Sequence, residues 1–366
     1  MKVAILGTRG VPARYGGFET FAEELGQRLV KKGFEVWVYC RADYFEKKLK
    51  NYQGIKLQYL RELHFKSLET LSHTFFSLLD SKLKRRGFDA LLICNLANSP
   101  FLGLARLGAK KVYLHVDGLE WQRSKWNPVG KLYYRLAAWL AAHSKAELIA
   151  DSKAIQDYYQ QKFGKKPHYI PYGAELWESR RPELVGSLGI TPGEYILQVT
   201  RFEPENNPLL TIQAFRQLST DKKLVLVGGA RYQSHYTRQI EAVRDKRIVR
   251  PGFIYERELL RELLCNCAFY VHGNEVGGTN PSLLEAMGAG CFVLARDVPF
   301  NREVLREAGV YFKKSVEDLR QKMAWALASE NAERLKAGGQ RAREIIRQDY
   351  QWDSVVEAYE ALLRKE

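Results

Sequence analysis

The fold is decided by residues 277–290, which read GGTNPSLLEAMGAG. An apolar run at residues 268–272 leads into this stretch, and a second run at residues 291–295 follows it. Asn280 is a typical helix N-cap and Pro281 a typical first helical residue, so the pattern predicts strand, helix, strand. The same alternation recurs along the chain, which predicts an α/β fold built on parallel sheets.

The two glycines ahead of this helix predict an anion site. A Gly-Gly loop at a helix N-terminus offers free backbone N–H groups and the positive end of the helix dipole, which suits phosphate. The candidate ligands are Gly278, Thr279, Asn280 and Ser282. Glu285, about one turn inside the helix, is suited to accept hydrogen bonds from a ribose or sugar hydroxyl. An ordinary strand–helix–strand crossover with a glycine turn would show the same sequence pattern. The anion site and the purely structural turn therefore both remain open interpretations at this point.

The length and composition limit the class of protein. At 366 residues the chain is too long for one ordinary domain, so we expect two. A hydrophobic content of 46% supports full cores, and no apolar run reaches the roughly 18 residues of a membrane span. The five cysteines show neither a disulfide framework nor zinc spacing, so we expect a reduced, cytoplasmic protein without a metal site.

The net charge of +15 lies almost entirely in the first half of the chain. Residues 1–175 carry 29 Lys and Arg against 16 Asp and Glu, and the remainder carries 28 against 26. Nucleic acid, an anionic membrane surface and phosphorylated substrates are the candidate partners of such a half. A generally basic soluble surface is the alternative.

The N-terminus reads as a βαβ unit, which implies a parallel sheet with a right-handed crossover. A buried-strand pattern at residues 2–6 is followed by a loop, residues 7–17, and then by an amphipathic helix at about 18–32. The loop lacks the G-x-G-x-x-G fingerprint of dinucleotide binding. It does contain Arg9, Arg14 and the pair Gly16-Gly17, at the strand end where open α/β sheets bind ligands. Gly16 and Gly17 are candidate ligands of a diphosphate.

A strongly apolar helix is predicted at about residues 131–140. We expect its Leu/Ala face to pack on the sheet. Aromatic and basic residues are interleaved just upstream, which would also suit a surface among lipid headgroups. These residues are Trp121, Arg123, Lys125 and Trp126.

The interdomain linker is predicted around residues 171–174. A second βα array begins with the strand at residues 195–199. We therefore expect a first domain at residues 1–172 and a second at 173–348. Residues 349–366 form a terminal helix that we expect to pack back on the first domain.

Three further groups of residues carry candidate chemistry. Arg201, followed by Asn206, comes directly after a strand, where an Arg can clamp a diphosphate; pairing with a nearby Glu is the alternative. His115, Asp117 and Glu120 also follow a strand, and could bind sugar hydroxyls or take a proton from an acceptor. The loop at Phe253 and Ile254 could hold a nucleobase against backbone groups.

Together these motifs resemble the GT-B nucleotide-sugar glycosyltransferases, in particular the retaining enzymes of family 4. Residues 7–20, 115–121 and 277–286 look like the signatures of bacterial rhamnosyltransferases of polysaccharide assembly. The resemblance implies two Rossmann-like domains with a cleft between them. It further implies that the first domain binds the acceptor, that the second binds the nucleotide sugar, and that the C-terminal helix returns to the first domain.

Two positions depart from the family pattern. Arg201 matches the family's diphosphate-binding Arg, but the Lys usual five residues later is Asn206 here. Glu285 matches the second Glu of the family's pair, which contacts the ribose, whereas the first Glu is replaced by Gly277. The resemblance therefore implies that backbone amides of residues 278–280 take over the sugar contact.

The implied activity is a metal-independent, cofactor-free glycosyl transfer of the hexosyltransferase type. The donor would be dTDP-rhamnose, and the acceptor a glycan or lipid-diphosphate-linked saccharide. Asp117 would orient this acceptor or stabilise developing positive charge. The enzyme would be cytoplasmic and would lie on the inner face of the membrane. A GT-B sugar-nucleotide epimerase and a basic nucleic-acid-binding protein are the alternatives, although no nucleic-acid-binding signature is present. A nicotinamide oxidoreductase is a third alternative, which the missing fingerprint weakens.

Overall fold

The chain folds into two compact α/β units. The structure is a computed structural model that describes residues 1–13, 16–64, 68–123, 126–230 and 232–365. One unit comprises Met1–Gln122, Trp126–Tyr172 and Trp352–Glu366, and the other comprises Arg123–Lys125 and Gly173–Gln351. Of the residues named above, Arg14 and Lys125 lie outside the described ranges.

The first unit contains an eight-stranded sheet in the order β3-β4-β2-β1-β5-β6-β7-β8. Its strands are β1 (Lys2–Leu6), β2 (Glu35–Arg41), β3 (Asn51–Tyr52), β4 (Ile55–Leu60), β5 (Phe88–Cys94), β6 (Ala109–His115), β7 (Glu147–Ala150) and β8 (His168–Tyr169). All the pairs are parallel except the hairpin of β3 with β4. The strand order turns back between β1 and β5, so loops from these two strands flank the crevice at that edge.

The helices of this unit cover the sheet. They are α1 (Gly17–Lys31), α2 (Glu69–Leu83), α3 (Leu102–Ala105), α4 (Pro128–His143) and α5 (Lys153–Phe163). The helix α1 buries Phe21, Leu25 and Leu29, as its apolar face predicted. Ser152 caps α5 through its side chain, which accepts the Ile155 N–H.

The second unit contains a six-stranded, fully parallel sheet in the order β11-β10-β9-β12-β13-β14. Its strands are β9 (Tyr195–Arg201), β10 (Lys223–Gly229), β11 (Ile248–Gly252), β12 (Phe269–His272), β13 (Val293–Arg296) and β14 (Gly309–Phe312). The two edge strands have no counterpart in the sequence prediction. Pro251 argues against a strand by pattern, but it is tolerated on an edge, where its missing N–H costs no ladder bond.

Seven helices surround this sheet in the described chain. They are α6 (Pro208–Arg216), α7 (His235–Ala242), α8 (Arg257–Cys265), α9 (Pro281–Gly288), α10 (Pro299–Leu305), α11 (Val316–Leu327) and α12 (Ala332–Asp349). The helix α9 begins as predicted: the Asn280 side chain accepts the Ser282 N–H, and Pro281 is the first helical residue. Its apolar residues Leu283, Leu284 and Met287 are fully buried.

The terminal helix α13 (Trp352–Arg364) belongs to the first unit. The Tyr113 hydroxyl on β6 donates to the Leu362 carbonyl at 2.9 Å, and Tyr359 packs on Phe21 of α1. Lys32 and Glu360 add an ion pair at 2.7 Å. The return of this helix to the first domain was predicted from the sequence and is confirmed.

The prediction for α4 was half wrong. Its alanines Ala137, Ala138 and Ala141 are buried against the unit, but Leu132 and Leu136 are 67% and 53% exposed.

The segment of interleaved aromatic and basic residues upstream of α4 also differs from the prediction. Trp121 and Arg123 are largely buried, so they do not form an interfacial surface.

Candidate active site

The second sheet has a topological switch point between β9 and β12. From β9 the chain crosses to β10 on one side, and from β12 it crosses to β13 on the other. In open α/β sheets the crevice outside the strand ends at such a point is where ligands bind. Arg201 ends β9, and the loop that precedes α9 follows β12. The residues singled out from the sequence therefore lie on both sides of this point.

The end of β9 is held rigidly around Arg201. Its carbonyl accepts hydrogen bonds from the Glu203 N–H at 2.8 Å and the Asn206 side-chain amide at 3.1 Å. Across the ladder, Arg201 is paired with Gly229 at the end of β10. Within the described chain, the Arg201 guanidinium makes no ion pair with Glu203 or Glu205, so the structural alternative considered for this Arg does not hold. A half-buried cation is thus held at the strand end without a carboxylate partner.

Asn206 lies below this edge rather than at its surface. It is 2% exposed, and its amide nitrogen is committed to the Arg201 carbonyl. Its backbone carbonyl accepts a bond from the buried Gln198 side-chain amide at 3.3 Å. The geometry therefore favours a supporting role for Asn206, which shapes the loop carrying Arg201, over direct contact with a diphosphate.

Gly228 allows the two strand ends to approach closely. Its φ is +122°, and a Cβ at this position would lie 1.9 Å from the Thr200 carbonyl oxygen. Only glycine adopts this backbone at little cost and leaves that space open. The ends of β9 and β10 consequently present bare backbone beside Arg201.

The loop ahead of α9 leads directly into the cap of that helix. Gly278 and Thr279 are buried, and the Asn280 side chain accepts bonds from the Ser282 N–H at 3.3 Å and the Ser282 hydroxyl at 3.0 Å. Within α9, Pro281 has no N–H, Ser282 is capped, and the N–H groups of Leu283 and Leu284 bond to the Asn280 carbonyl. An anion at this helix end would therefore meet the N–H groups that precede Pro281, together with the positive end of the helix dipole. Glu285 follows one turn later and is half-buried.

The backbone conformation of Gly277 accounts for a glycine at the position where the family pattern has the first Glu. Its φ is +154°, a region that side-chain-bearing residues rarely enter, although the space around it is open. The nearby Glu275 is not a replacement, because its carboxylate is held by Arg296 at 2.9 Å and Lys314 at 2.8 Å. Burial acts to raise the pKa of Glu275, but these bonds outweigh it and lower the pKa.

Phe253 and Ile254 lie in the loop that follows the edge strand β11. The Phe253 ring stacks on Tyr255 and lies next to Gly229, where a Cβ would come within 3.1 Å of it. An aromatic surface thus adjoins the glycine end of β10, at the same edge of the sheet as Arg201.

In the first unit, the loop after β1 is fastened to α1 by two carboxylates. Glu19 accepts the Arg9 N–H at 2.8 Å, and Glu23 accepts the Ala13 N–H at 2.6 Å. Gly16 is the N-cap of α1 and Gly17 its first residue. The Glu19 carboxylate lies beside Gly16, so the geometry there favours a hydroxyl-bearing ligand over a phosphate. Neither carboxylate was singled out from the sequence, although both follow the glycine pair at helical spacing.

His115 is fully enclosed at the end of β6. Its ring is stacked on Tyr172, with Phe18 and Phe21 at its edges. Burial lowers the pKa of His115 to about 3, so the imidazole is neutral. Its Nδ1 atom accepts the Asp117 N–H at 3.3 Å. This arrangement favours a positioning role for His115 over proton transfer.

Asp117 and Glu120 occupy different settings. Asp117 is half-buried and has a φ of +58°, which turns the chain sharply after β6. Its charge is felt by Tyr172, whose pKa is raised by burial and further by Asp151 and Asp117. Glu120 is buried and accepts the Trp126 indole N–H at 3.0 Å. Of the three titratable residues on this loop, Asp117 is the least buried.

Two family profiles match the chain, one on each half. The profile described as Glycosyltransferase Family 4 matches residues 15–177, and that described as Glycosyl transferases group 1 matches residues 181–345. A search of curated proteins by sequence finds no significant match.

Solved structures share the whole architecture. Sucrose-phosphate synthase from Thermosynechococcus elongatus is 17% identical with a TM-score of 0.84, over 99% of this chain and 98% of that one. HepE of Anabaena with UDP and glucose is 18% identical with a TM-score of 0.78, over 99% of each chain. WaaG, a glycosyltransferase of lipopolysaccharide biosynthesis, is 16% identical with a TM-score of 0.74, over 100% of each.

The similarity to these solved structures shows that the chain has the two-domain GT-B fold. This is the fold that the sequence predicted. Since a glycosyltransferase profile matches each half, the chain belongs to the GT-B glycosyltransferases and is a transferase enzyme.

Proposed function

We propose that this enzyme transfers a sugar from a nucleoside-diphosphate donor to a saccharide or lipid-diphosphate-linked acceptor in cell-surface polysaccharide synthesis. The observation that carries the proposal is the Arg201 guanidinium, held at the switch point of the second sheet without a carboxylate partner in the described chain. Such a cation, beside bare glycine backbone, is what a diphosphate requires.

The donor diphosphate binds between two complementary groups of the second unit. Arg201 supplies a charged fork, and the N-terminus of α9 supplies backbone N–H groups from Gly278 to Asn280. Glu285 accepts hydrogen bonds from the ribose, and the base lies near Phe253 and Ile254. The structures of HepE with UDP and with UDP-glucose support this class of donor, because that protein shares the fold.

Charge neutralisation at the leaving group is the main catalytic effect. As the bond between the sugar and the diphosphate breaks, negative charge builds up on the diphosphate oxygens. Arg201 and the positive end of α9 stabilise that charge, and the backbone that carries each of them is already fixed by the fold. The transfer proceeds with retention, and the leaving phosphate assists removal of the acceptor proton.

Acceptor binding falls to the first unit. Asp117 orients the acceptor hydroxyl, and buried His115 holds the Asp117 backbone in its turned conformation. Glu120 fixes Trp126 on the same loop. Gly16 and Gly17 offer backbone to a sugar hydroxyl. Asn206 acts in the second unit, through the loop that carries Arg201.

The preferred donor is dTDP-rhamnose. This choice of donor rests on the resemblance of the Gly7–Thr20 and Gly277–Ala286 motifs to those of bacterial rhamnosyltransferases. The acceptor class is supported by WaaG, which shares the fold and is involved in lipopolysaccharide biosynthesis. The excess of positive charge in residues 1–175 suits an anionic acceptor and a position on the inner face of the cell membrane.

A thermal-shift screen with nucleotide sugars tests the donor class. Nucleoside-diphosphate sugars, dTDP-rhamnose first, should raise the melting temperature, because ligands that bind only the folded state stabilise it. The parent nucleosides, which lack phosphate, are the matched control and should shift it little. A protein stabilised by duplex DNA but by no nucleotide sugar would contradict the proposal.

A further inference from the structure

We propose that the exposed apolar face of α4 is a docking surface for an anionic lipid bilayer. The apolar stripe consists of Val129, Leu132, Leu136 and Trp139. The spacing of three, four and three residues places all four side chains on one face of the helix. They are 74%, 67%, 53% and 49% exposed, respectively.

This exposure is imposed by the way α4 is anchored. The opposite face consists of Tyr134 and alanines, among them Ala137, Ala138 and Ala141, which are buried against the unit. The Tyr133 hydroxyl donates to the Ala97 carbonyl at 2.7 Å, and the Asn127 side chain caps the first turn. The helix cannot turn its large side chains inward without losing these contacts. A surface helix of a soluble domain ordinarily presents polar residues outward, so the stripe calls for a partner.

The charges around the stripe identify that partner. Lys131 and Arg135 lie on α4 itself, Lys145 follows its end, and the helix contains no Asp or Glu. Arg135 and Lys145 are exposed. An apolar face with a Trp and flanking Lys and Arg residues is typical of helices that lie in the plane of a membrane surface. Anionic headgroups would pair with the cations while the stripe enters the acyl boundary.

A second copy of the chain fits this face less well than lipid does. In a two-fold dimer through α4, the same surface of each copy meets its equivalent. Arg135 and Lys131 would then face a surface of the same positive charge, with no carboxylate on either α4. Docking on a bilayer avoids this repulsion. Among the described residues, no helix is long and apolar enough to cross a bilayer, so the contact proposed is a peripheral one.

The position of α4 gives the docking a purpose that rests on the proposed function. The helix begins at Pro128, soon after the loop that contains Asp117. Binding the stripe to lipid would bring this acceptor loop to the surface where a lipid-diphosphate-linked saccharide is embedded. Vesicle binding needs no turnover, so a failure of the docking and a failure of the proposed transfer can be told apart.

Vesicle flotation tests the proposal. The full chain should float with vesicles that contain phosphatidylglycerol, and much less with vesicles of phosphatidylcholine alone. The double substitution Leu132→Ser with Leu136→Ser should weaken partitioning by about tenfold or more, since two large apolar side chains no longer enter the bilayer. Leu83→Ser is the matched control, because Leu83 is equally exposed, at 76%, but lies at the end of α2. It should bind as the original chain does.

A charge variant keeps the test independent of apolar packing. Arg135→Glu should reduce binding to anionic vesicles and leave the melting temperature unchanged, because Arg135 is exposed. Equal flotation of the stripe variants and the original chain would overturn the proposal. So would a dimer in solution that the leucine substitutions dissociate, since the stripe would then be a contact between copies.

Discussion

Replacing Arg201 by Ala tests whether this Arg binds the ligand or stabilises the fold. The guanidinium has no carboxylate partner in the described chain, so its removal leaves no buried charge unpaired. The hydrogen bonds that fix this strand end go to the backbone carbonyl of Arg201, and they survive the substitution. We therefore expect the free energy of unfolding to change by no more than about 0.5 kcal/mol.

Binding of a nucleoside diphosphate should respond much more strongly. Hydrogen bonds to charged groups contribute about 1.5–3 kcal/mol, which corresponds to a loss of about 10- to 150-fold in affinity. Isothermal titration of dTDP and UDP into the original chain and the variant measures this loss. The parent nucleoside has no phosphate, and any binding it shows should not change.

Arg296→Ala is the matched control for this experiment. Arg296 ends β13, two strands away from β9 in the same sheet, and its guanidinium is committed to the Glu275 carboxylate. Its loss should lower the free energy of unfolding by about 1–2 kcal/mol. The reasoning is refuted if Arg201→Ala leaves dTDP and UDP affinity unchanged, or if it destabilises the fold as much as Arg296→Ala does.

Three further predictions concern other residues. Asp117→Asn should lower the transfer rate while the melting temperature stays normal, and a full rate would remove Asp117 from the mechanism. Gly277→Glu should lower the free energy of unfolding by about 1–3 kcal/mol in urea titrations, because its backbone has a positive φ, and an unchanged stability would contradict this. His73, His115 and His272 are buried, which lowers the pKa of each to about 3. Below about pH 6.5 these histidines bind protons in the unfolded chain but not yet in the folded one. The free energy of unfolding should therefore fall by up to about 1.4 kcal/mol per pH unit for each histidine. A free energy of unfolding from urea titrations that does not change between about pH 6.5 and about pH 4 would count against this.

Much of the framework was predictable because local signals agreed with the tertiary structure. The cap at Asn280, the proline at the first helical position and the buried leucines of α9 all point to the same helix. The central strands of both sheets read as continuous apolar runs, as strands buried on both faces do. The edge strands β11 and β14 of the second sheet escaped prediction, and Pro251 argued against β11.

Other features depended on tertiary contacts that no local pattern encodes. Leu132 and Ala137 both read as core residues, yet only the alanine fits against the unit, and the leucine faces outward. Asn206 stands where relatives have a cation, but only the folded loop reveals that its amide is bound to the Arg201 carbonyl. His115 was a candidate for proton transfer until the aromatic rings around it showed how deeply it is enclosed.

Product analysis with a labelled nucleotide sugar tests the central claim most directly. The enzyme is incubated with dTDP-rhamnose and a lipid-diphosphate-linked saccharide, and both the nucleotide and the sugar products are followed by nuclear magnetic resonance. We predict one equivalent of dTDP released for each sugar joined to the acceptor, with the anomeric configuration of the donor retained. Conversion of the nucleotide sugar to an epimer, with the acceptor left unconsumed, would contradict the account.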